Sequence, residues 1–306
     1  MARHTGELAA RAEFILFCAL RRTFQRLPLE RAVWLGAKAG TLAAAADRFN
    51  RPVAMRNLAI AFPDYEISRH REILTGMYRN WGRMAAEWCH LPKLGPAQIG
   101  NFVSYDGVDN WRAGEALSAG RGGILVTAHF GNWELMAHAH ALNGHPIAIV
   151  YRPLRNRLID RTVSAQRAQV GNQVIARKGA GHDVIKRLRR NEHVVLPIDL
   201  DVRRGVFVNF FGCLASTTEA PARLALASGA PVAPVFIVRE AESLRHRIII
   251  RPVIEVIPGR DRLATIRDYT QRFSTEVEAM IRRYPDHWNW IHRRWKTRPA
   301  GEKRFY

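Results

Sequence analysis

The hydrophobic pattern changes its period near residue 100. Before that point apolar residues recur at three- and four-residue intervals, the signature of helices. Residues 7–27 set Phe14, Ile15, Phe17, Cys18, Leu20, Phe24 and Leu27 among Arg11, Arg21, Arg22 and Arg26. That spacing predicts an amphipathic helix with a basic face, able to lie on a membrane surface or to pack on a domain. Residues 29–46 predict a second, more apolar helix, interrupted by Lys38 and too short for a bilayer span. A third helix ends at Pro63. Residues 68–88 carry Ile73, Leu74, Met77, Trp81, Met84, Ala85 and Trp88 at helical spacing, a stripe that predicts core.

Beyond residue 100 strand-length apolar runs appear at 122–128, 146–151, 172–176, 193–198, 206–210, 231–238 and 246–256. They alternate with helical patterns at 132–142, 157–169, 181–191, 219–229 and 263–283. Such alternation predicts an α/β fold, a mostly parallel sheet covered by helices, preceded by an amino-terminal helical segment. The division expected is residues 1–48 for the membrane-associating helices and 49–306 for the main domain. In an open sheet of this kind the site lies beyond the carboxyl ends of the strands.

One strand-to-helix junction carries the chemistry. Gly122-Gly123-Ile124-Leu125-Val126 reads as a buried strand, and Leu135–Leu142 as a helix, with Thr127-Ala128-His129-Phe130-Gly131-Asn132-Trp133-Glu134 between them. Asn132 is placed as the helix N-cap, which puts Glu134 in the first turn. On one continuous helix His129 and Glu134 would point about 140° apart; across a turn they can meet. A histidine above a strand end, with a carboxylate on its second ring nitrogen, is a general base. A glutamate in a first turn is also favoured by the helix dipole alone. A metal geometry exists as well, because Glu134 and His138 share a helix face near His129.

Composition narrows the partners. Lys and Arg number 47 against 27 Asp and Glu, a net charge of +20, which favours anionic partners. No RRM, zinc-finger or basic-zipper pattern supports nucleic acid. No run of 18 apolar residues occurs, and Glu7, Arg11 and Glu13 precede the apolar stretch at 14–20, so neither a transmembrane helix nor a signal peptide is expected. Cys18, Cys89 and Cys213 are too few and too scattered for a disulfide scaffold or a metal site.

Three further clusters can serve the junction. Tyr151-Arg152-Pro153 is followed by Arg167 in the next helix. Asp199-Leu200-Asp201 precedes Arg203-Arg204; read as a strand, its carboxylates share a face, which suits a paired-carboxylate or Mg²⁺ site, or else one of them pairs with an arginine. Trp288, Trp290 and Trp295 interleave with Arg293, Arg294, Lys296 and Arg298, which suits a membrane interface, a phosphate-rich ligand or single-stranded nucleic acid.

Taken together these stretches resemble the late acyltransferases of lipid A biosynthesis, the HtrB-like family within the glycerolipid acyltransferase superfamily. His129-Phe130-Gly131-Asn132-Trp133-Glu134 looks like the family's His-x-x-x-x-Glu/Asp block. Arg56 through Phe62 and Pro63 looks like its Asn-Leu-x-x-Ala-Phe-Pro signature. Asp199-Leu200-Asp201 with Gly205-Val206-Phe207-Val208 and Phe210-Phe211-Gly212 looks like a third block, and His292–Pro299 like the carboxyl-terminal one. Asn209 stands where the family often has proline, and Thr218 where proline is common. The resemblance implies acyl transfer from a thioester, usually on acyl carrier protein, to a hydroxyl of a membrane glycolipid at the cytoplasmic face of the bacterial inner membrane. It implies no cofactor and no metal. His129 is then the base, Glu134 its orienter, Arg167 an oxyanion donor, and Asp199 a residue ordering Arg167 or a neighbouring arginine. Arg152, Arg203, Arg204, Arg293 and Arg294 are the expected binders of anionic substrate. Rival readings keep the chemistry on another acceptor (a phosphatidylinositol mannoside, an ornithine lipid, a lysophospholipid), or make the protein a His129/Glu134/His138 metallohydrolase or a basic nucleic-acid-binding protein.

Overall fold

A computed structural model describes residues 2–306, with side chains from residue 7 onward. Its elements are α1 (Ala2–Arg26), α2 (Leu29–Ala46), α3 (Arg51–Ala61), α4 (Ile67–His90), α5 (Pro96–Phe102), β1 (Val103–Asp106), α6 (Val108–Ser118), β2 (Gly123–Thr127), α7 (Trp133–Leu142), β3 (Ile147–Tyr151), α8 (Arg157–Ala168), β4 (Gln173–Ala176), α9 (Ala180–Leu188), β5 (His193–Pro197), β6 (Val206–Phe210), β7 (Cys213–Thr217), α10 (Ala220–Ser228), β8 (Val232–Arg239), β9 (His246–Ile250) and α11 (Arg262–Arg283).

Seven strands form one sheet in the order β1-β9-β8-β2-β5-β3-β4, and β6 and β7 form a separate hairpin. All neighbours in the sheet are parallel except β8 and β9. The mostly parallel α/β arrangement expected from the pattern is present. The run expected at 246–256 is strand only to Ile250.

The central strands are unbroken apolar runs because both faces are covered. Alternation divides their side chains: Ile124, Val126, Val194 and Leu196 join one core, whereas Leu125 and Val195 join the other. The first core also holds buried residues of α9, α10 and α11, and the second those of α5, α6 and α7.

The carboxyl-terminal tryptophans belong to the first core. Trp288, Trp290 and Trp295 are each 0% exposed, so they offer nothing to a membrane or a nucleic acid, contrary to expectation. Asn57, inside the Asn-Leu-x-x-Ala-Phe-Pro stretch, explains how the segment is held. Its Nδ2 donates to the carbonyls of Trp290 and His292, 2.7 Å each, across more than 230 residues of sequence.

At the other end α2 lies against α4 with almost no side chain between them. A Cβ on Gly82 would stand 1.9 Å from the Gly36 carbonyl, and one on Gly40 2.1 Å from the Tyr78 carbonyl. Helix α1 then packs on α4 and α8: Phe17 on Trp88 at 5.7 Å, Arg21 over Trp88 and onto Gln166. Of the apolar residues on this amphipathic helix, Phe14, Phe17 and Phe24 turn partly inward and Leu20 is exposed. Leu8, Ile15 and Leu16 are exposed beside it. Among the described residues no helix is long and apolar enough to cross a membrane.

Candidate active site

The register of two strands builds the site. β2 and β5 pair in parallel with Thr127 opposite Pro197, so two residues further on His129 falls beside Asp199. The ladder continues by one bond, Ile198 N–H to the Thr127 carbonyl at 3.0 Å. Asp199 Oδ1 then lies 2.9 Å from His129 Nδ1, and Oδ2 accepts the His129 backbone N–H at 2.9 Å. The Trp288 indole N–H donates to the same Oδ2 at 2.9 Å. Asp199 is 1% exposed and His129 27%, counted over side chains.

This geometry fixes the tautomer. A carboxylate only accepts, so the ring proton sits on Nδ1 and Nε2 carries the lone pair. Burial alone would lower the His129 pKa, but the charge and hydrogen bond of Asp199, with the field of Glu134, outweigh it and raise the value. Burial would raise Asp199; His129 and the indole hold it down at about 2. The residue on Nδ1 is therefore Asp199 and not Glu134, a correction to the expected pairing. Asp199 orders the histidine rather than an arginine.

Glu134 is engaged elsewhere. Arg167 grips it in a two-pronged pair, Nε to Oε2 at 3.0 Å and Nη2 to Oε1 at 2.5 Å. Asn132 caps α7 as expected, its Oδ1 accepting the Leu135 N–H at 3.0 Å. The turn before it needs glycine: Gly131 has φ +59°, and a Cβ there would stand 2.0 Å from the Ile237 carbonyl. The Gly131 N–H donates to the His287 carbonyl at 2.9 Å, and Phe130 bridges Trp288. The junction is thus pinned by the carboxyl-terminal segment, more than 150 residues away. Sequence spacing carries no signal for those contacts.

The remaining expectations divide. Arg152 follows β3, Arg203 and Arg204 occupy the turn before β6, and Arg293 lies in the carboxyl-terminal segment; all four are exposed. Arg294 is not available to substrate. It is 1% exposed, donates to the Ser216 carbonyl at 2.8 Å and to the Thr217 hydroxyl, and lies over Phe210. Asp199 and Asp201 are not on a strand, since β5 ends at Pro197, and among the described residues neither forms an ion pair with an arginine. Asp201 clasps Thr297 through its backbone N–H and hydroxyl, 3.0 Å each. The metal geometry fails at His138, whose Nε2 lies 3.1 Å from the Leu94 carbonyl. Among the described residues no group of three metal-binding side chains converges.

A histidine locked by a buried aspartate at the carboxyl edge of a mostly parallel sheet, beside an arginine–glutamate pair, can take up and return a proton at Nε2. The family model for bacterial lipid A biosynthesis acyltransferases matches residues 6–297. The chain belongs to that family. The lipid A biosynthesis palmitoleoyltransferase of Escherichia coli is 27% identical over 284 residues, 92% of this chain and 90% of that protein. The lauroyltransferase of the same organism is 29% identical over 279 residues, covering 90% and 89%. The phosphatidylinositol mannoside acyltransferase of Mycolicibacterium smegmatis is 26% identical over 239 residues, covering 76% and 75%. The protein is an acyltransferase.

Proposed function

We propose that this acyltransferase moves a fatty acyl chain from a thioester, carried on acyl carrier protein, to a hydroxyl of a lipid A precursor. The observation that carries the reading is His129, its Nδ1–H held by buried Asp199 and its Nε2 without a hydrogen bond among the described residues. Nε2 takes the proton of the acceptor hydroxyl as its oxygen attacks the thioester carbon. The tetrahedral intermediate collapses by breaking the C–S bond, and Nε2–H returns the proton to the departing thiolate. The base is regenerated and no covalent enzyme intermediate forms.

Arg167 stabilises the intermediate's oxygen. A guanidinium has five N–H groups, and Glu134 engages only the one on Nε and one on Nη2. The others remain for an oxyanion, and Glu134 holds the plane that aims them.

The carboxyl edge of the sheet supports an acidic donor. Tyr151 and Ala176 pair in register, so the residues after them, Arg152 with Arg155 and Arg157, and Arg177 with Lys178, gather beside the site, and all are exposed. An acidic carrier would be steered to that edge. The phosphates of a lipid A precursor suit Arg203, Arg204 and Arg293. Attachment is peripheral, at the cytoplasmic leaflet, through residues 1–48.

The test is turnover of an acyl carrier protein thioester with a lipid A precursor, read by mass spectrometry of the lipid. His129→Ala and Asp199→Asn should each lower kcat by about 10²–10⁴-fold, and chelators should leave it unchanged. Wild-type protein that acylates no such precursor overturns the reading. The likeness to the mannoside acyltransferase of M. smegmatis favours a second acceptor; a phosphatidylinositol mannoside offered in the same assay separates the two.

A further inference from the structure

Beneath the helix α7 cap lies a charged group that the reaction does not touch. Glu87, on α4, is 5% exposed. Its Oε1 accepts from Arg239 Nη2 at 2.6 Å and its Oε2 from Asn132 Nδ2 at 2.8 Å. His246 faces the same carboxylate, with Nε2 3.6 Å from Oε2, and makes no hydrogen bond to it. Arg239 is braced in turn, Nη1 donating to the Ser243 carbonyl at 2.9 Å.

A buried carboxylate is costly to place, and an apolar residue of similar volume is often no worse for stability. Here the partners dictate the choice. Both are donors, so the group between them must accept twice and donate nothing, which a carboxylate alone does. The Asn132 amide cannot turn over to relieve the demand, because its Oδ1 is held by the Leu135 N–H at 3.0 Å. The sense of every bond in the line Arg239–Glu87–Asn132–Leu135 is therefore fixed. It ends in the first turn of α7, where Glu134 grips Arg167.

We infer that Glu87 is a positioning residue for acyl transfer, acting through the Asn132 cap to set the first turn of α7 and with it the Glu134–Arg167 pair. The inference rests on the proposed reaction for its kinetic readout and on hydrogen exchange for a readout that needs no substrate.

The experiment compares Glu87→Gln, Asn132→Asp and the double variant, as full-length proteins. The single Glu87 change sets an amide N–H against a donor. The single Asn132 change sets two carboxylates face to face. In the double variant the new amide accepts from Arg239 and donates to the new carboxylate, which still accepts the Leu135 N–H, so every bond is restored with its sense reversed at one link. Each single variant should lower kcat by about 10–100-fold, leave KM for both substrates within a few-fold, and speed amide exchange at residues 133–136. The double variant should recover kcat and protection to within a few-fold of wild type. If Glu87→Gln fails to fold, Asn132→Ser carries the same test, since it keeps a cap acceptor and loses only the donor to Glu87.

Single variants with normal kcat and normal protection overturn the inference. So does a double variant no better than the worse single one. Wild-type protein without turnover would sink the proposed reaction instead, and the exchange pattern would still decide the role of Glu87.

Discussion

The two ends of this chain share a pattern, large apolar side chains interleaved with arginine, and meet opposite fates. Residues 7–27 interleave large apolar side chains with arginine, and so do residues 288–298. In the carboxyl-terminal segment the three tryptophans and Arg294 are fully enclosed. On α1 and α2, Leu8, Ile15, Leu16, Leu20, Trp34, Leu35 and Leu42 stand exposed. The shared pattern does not distinguish them, because large apolar side chains beside arginines suit an interface or a core whose arginine finds carbonyl partners. What separates them is a tertiary acceptor. Asn57 and the β6–β7 hairpin receive the tail, whereas α1 meets α4 and α8 on one side only.

That contrast makes ordered predictions. The largest effect belongs to Trp288→Ala, which removes a buried indole from the core and a donor from Asp199. Truncating a buried Trp costs about 3–5 kcal/mol, so the melting midpoint should fall sharply and turnover with it. A midpoint near wild type would place the tail outside the core after all.

Trp288→Phe keeps a ring and deletes one N–H. A hydrogen bond to a charged group contributes about 1.5–3 kcal/mol, so kcat should fall by roughly tenfold or more with a modest loss of stability. Its pH profile separates chemistry from packing. His129 works as a base only when neutral, and its pKa is raised above 6.5, so the rate should climb with pH through a value above 6.5. Removing the indole leaves Asp199 a better acceptor and moves that limb further up. Asp199→Asn removes the raising charge and moves it down. Both shifts in one direction would mean that the limb reports another group.

Arg293 and Arg294 put the contrast on adjacent residues. Arg294→Ala should destabilise by about 1–3 kcal/mol, because the Ser216 carbonyl loses its buried donor. Arg293→Ala should leave the midpoint unchanged and raise KM for a phosphorylated acceptor. Equal effects on stability would erase the distinction.

Much of the fold was legible because the central strands are uninterrupted apolar runs and the helix after β2 opens on its cap, Asn132. The parts missed have weak patterns. β1 is four residues, Val-Ser-Tyr-Asp, whose pairing with β9 lies 143 positions away. α5 and α6 are short and carry Pro96, Gly100 and Gly114. His129, Glu134, Arg167 and Asp199 were all visible as chemistry, but their pairing was not. Five residues of spacing allowed His129 to meet Glu134; the register of β2 and β5 gave Nδ1 to Asp199 instead, and sheet order is not written in local sequence.

The smallest effect on the folded protein falls at the other end. Helix α1 shows two apolar faces, one carrying Phe17 and Phe24 against the body and one carrying Leu8, Ile15, Leu16 and Leu20 outward. Arg11, Arg22 and Arg26 border the outward face. Replacing Ile15 and Leu16, 68% and 61% exposed, by serine should leave the melting midpoint unchanged, since substitutions at exposed positions usually stay within about 0.5 kcal/mol. If that face lies in a bilayer surface, each replacement removes about 1.5–3 kcal/mol of burial, and binding to anionic vesicles should fall by tenfold or more per residue. Raising salt should weaken wild-type binding without abolishing it, because the apolar part is not screened. Turnover of a detergent-dispersed acceptor should survive the double replacement, while turnover on vesicles should not. Equal vesicle binding by the double variant and wild type would assign attachment to the arginines alone.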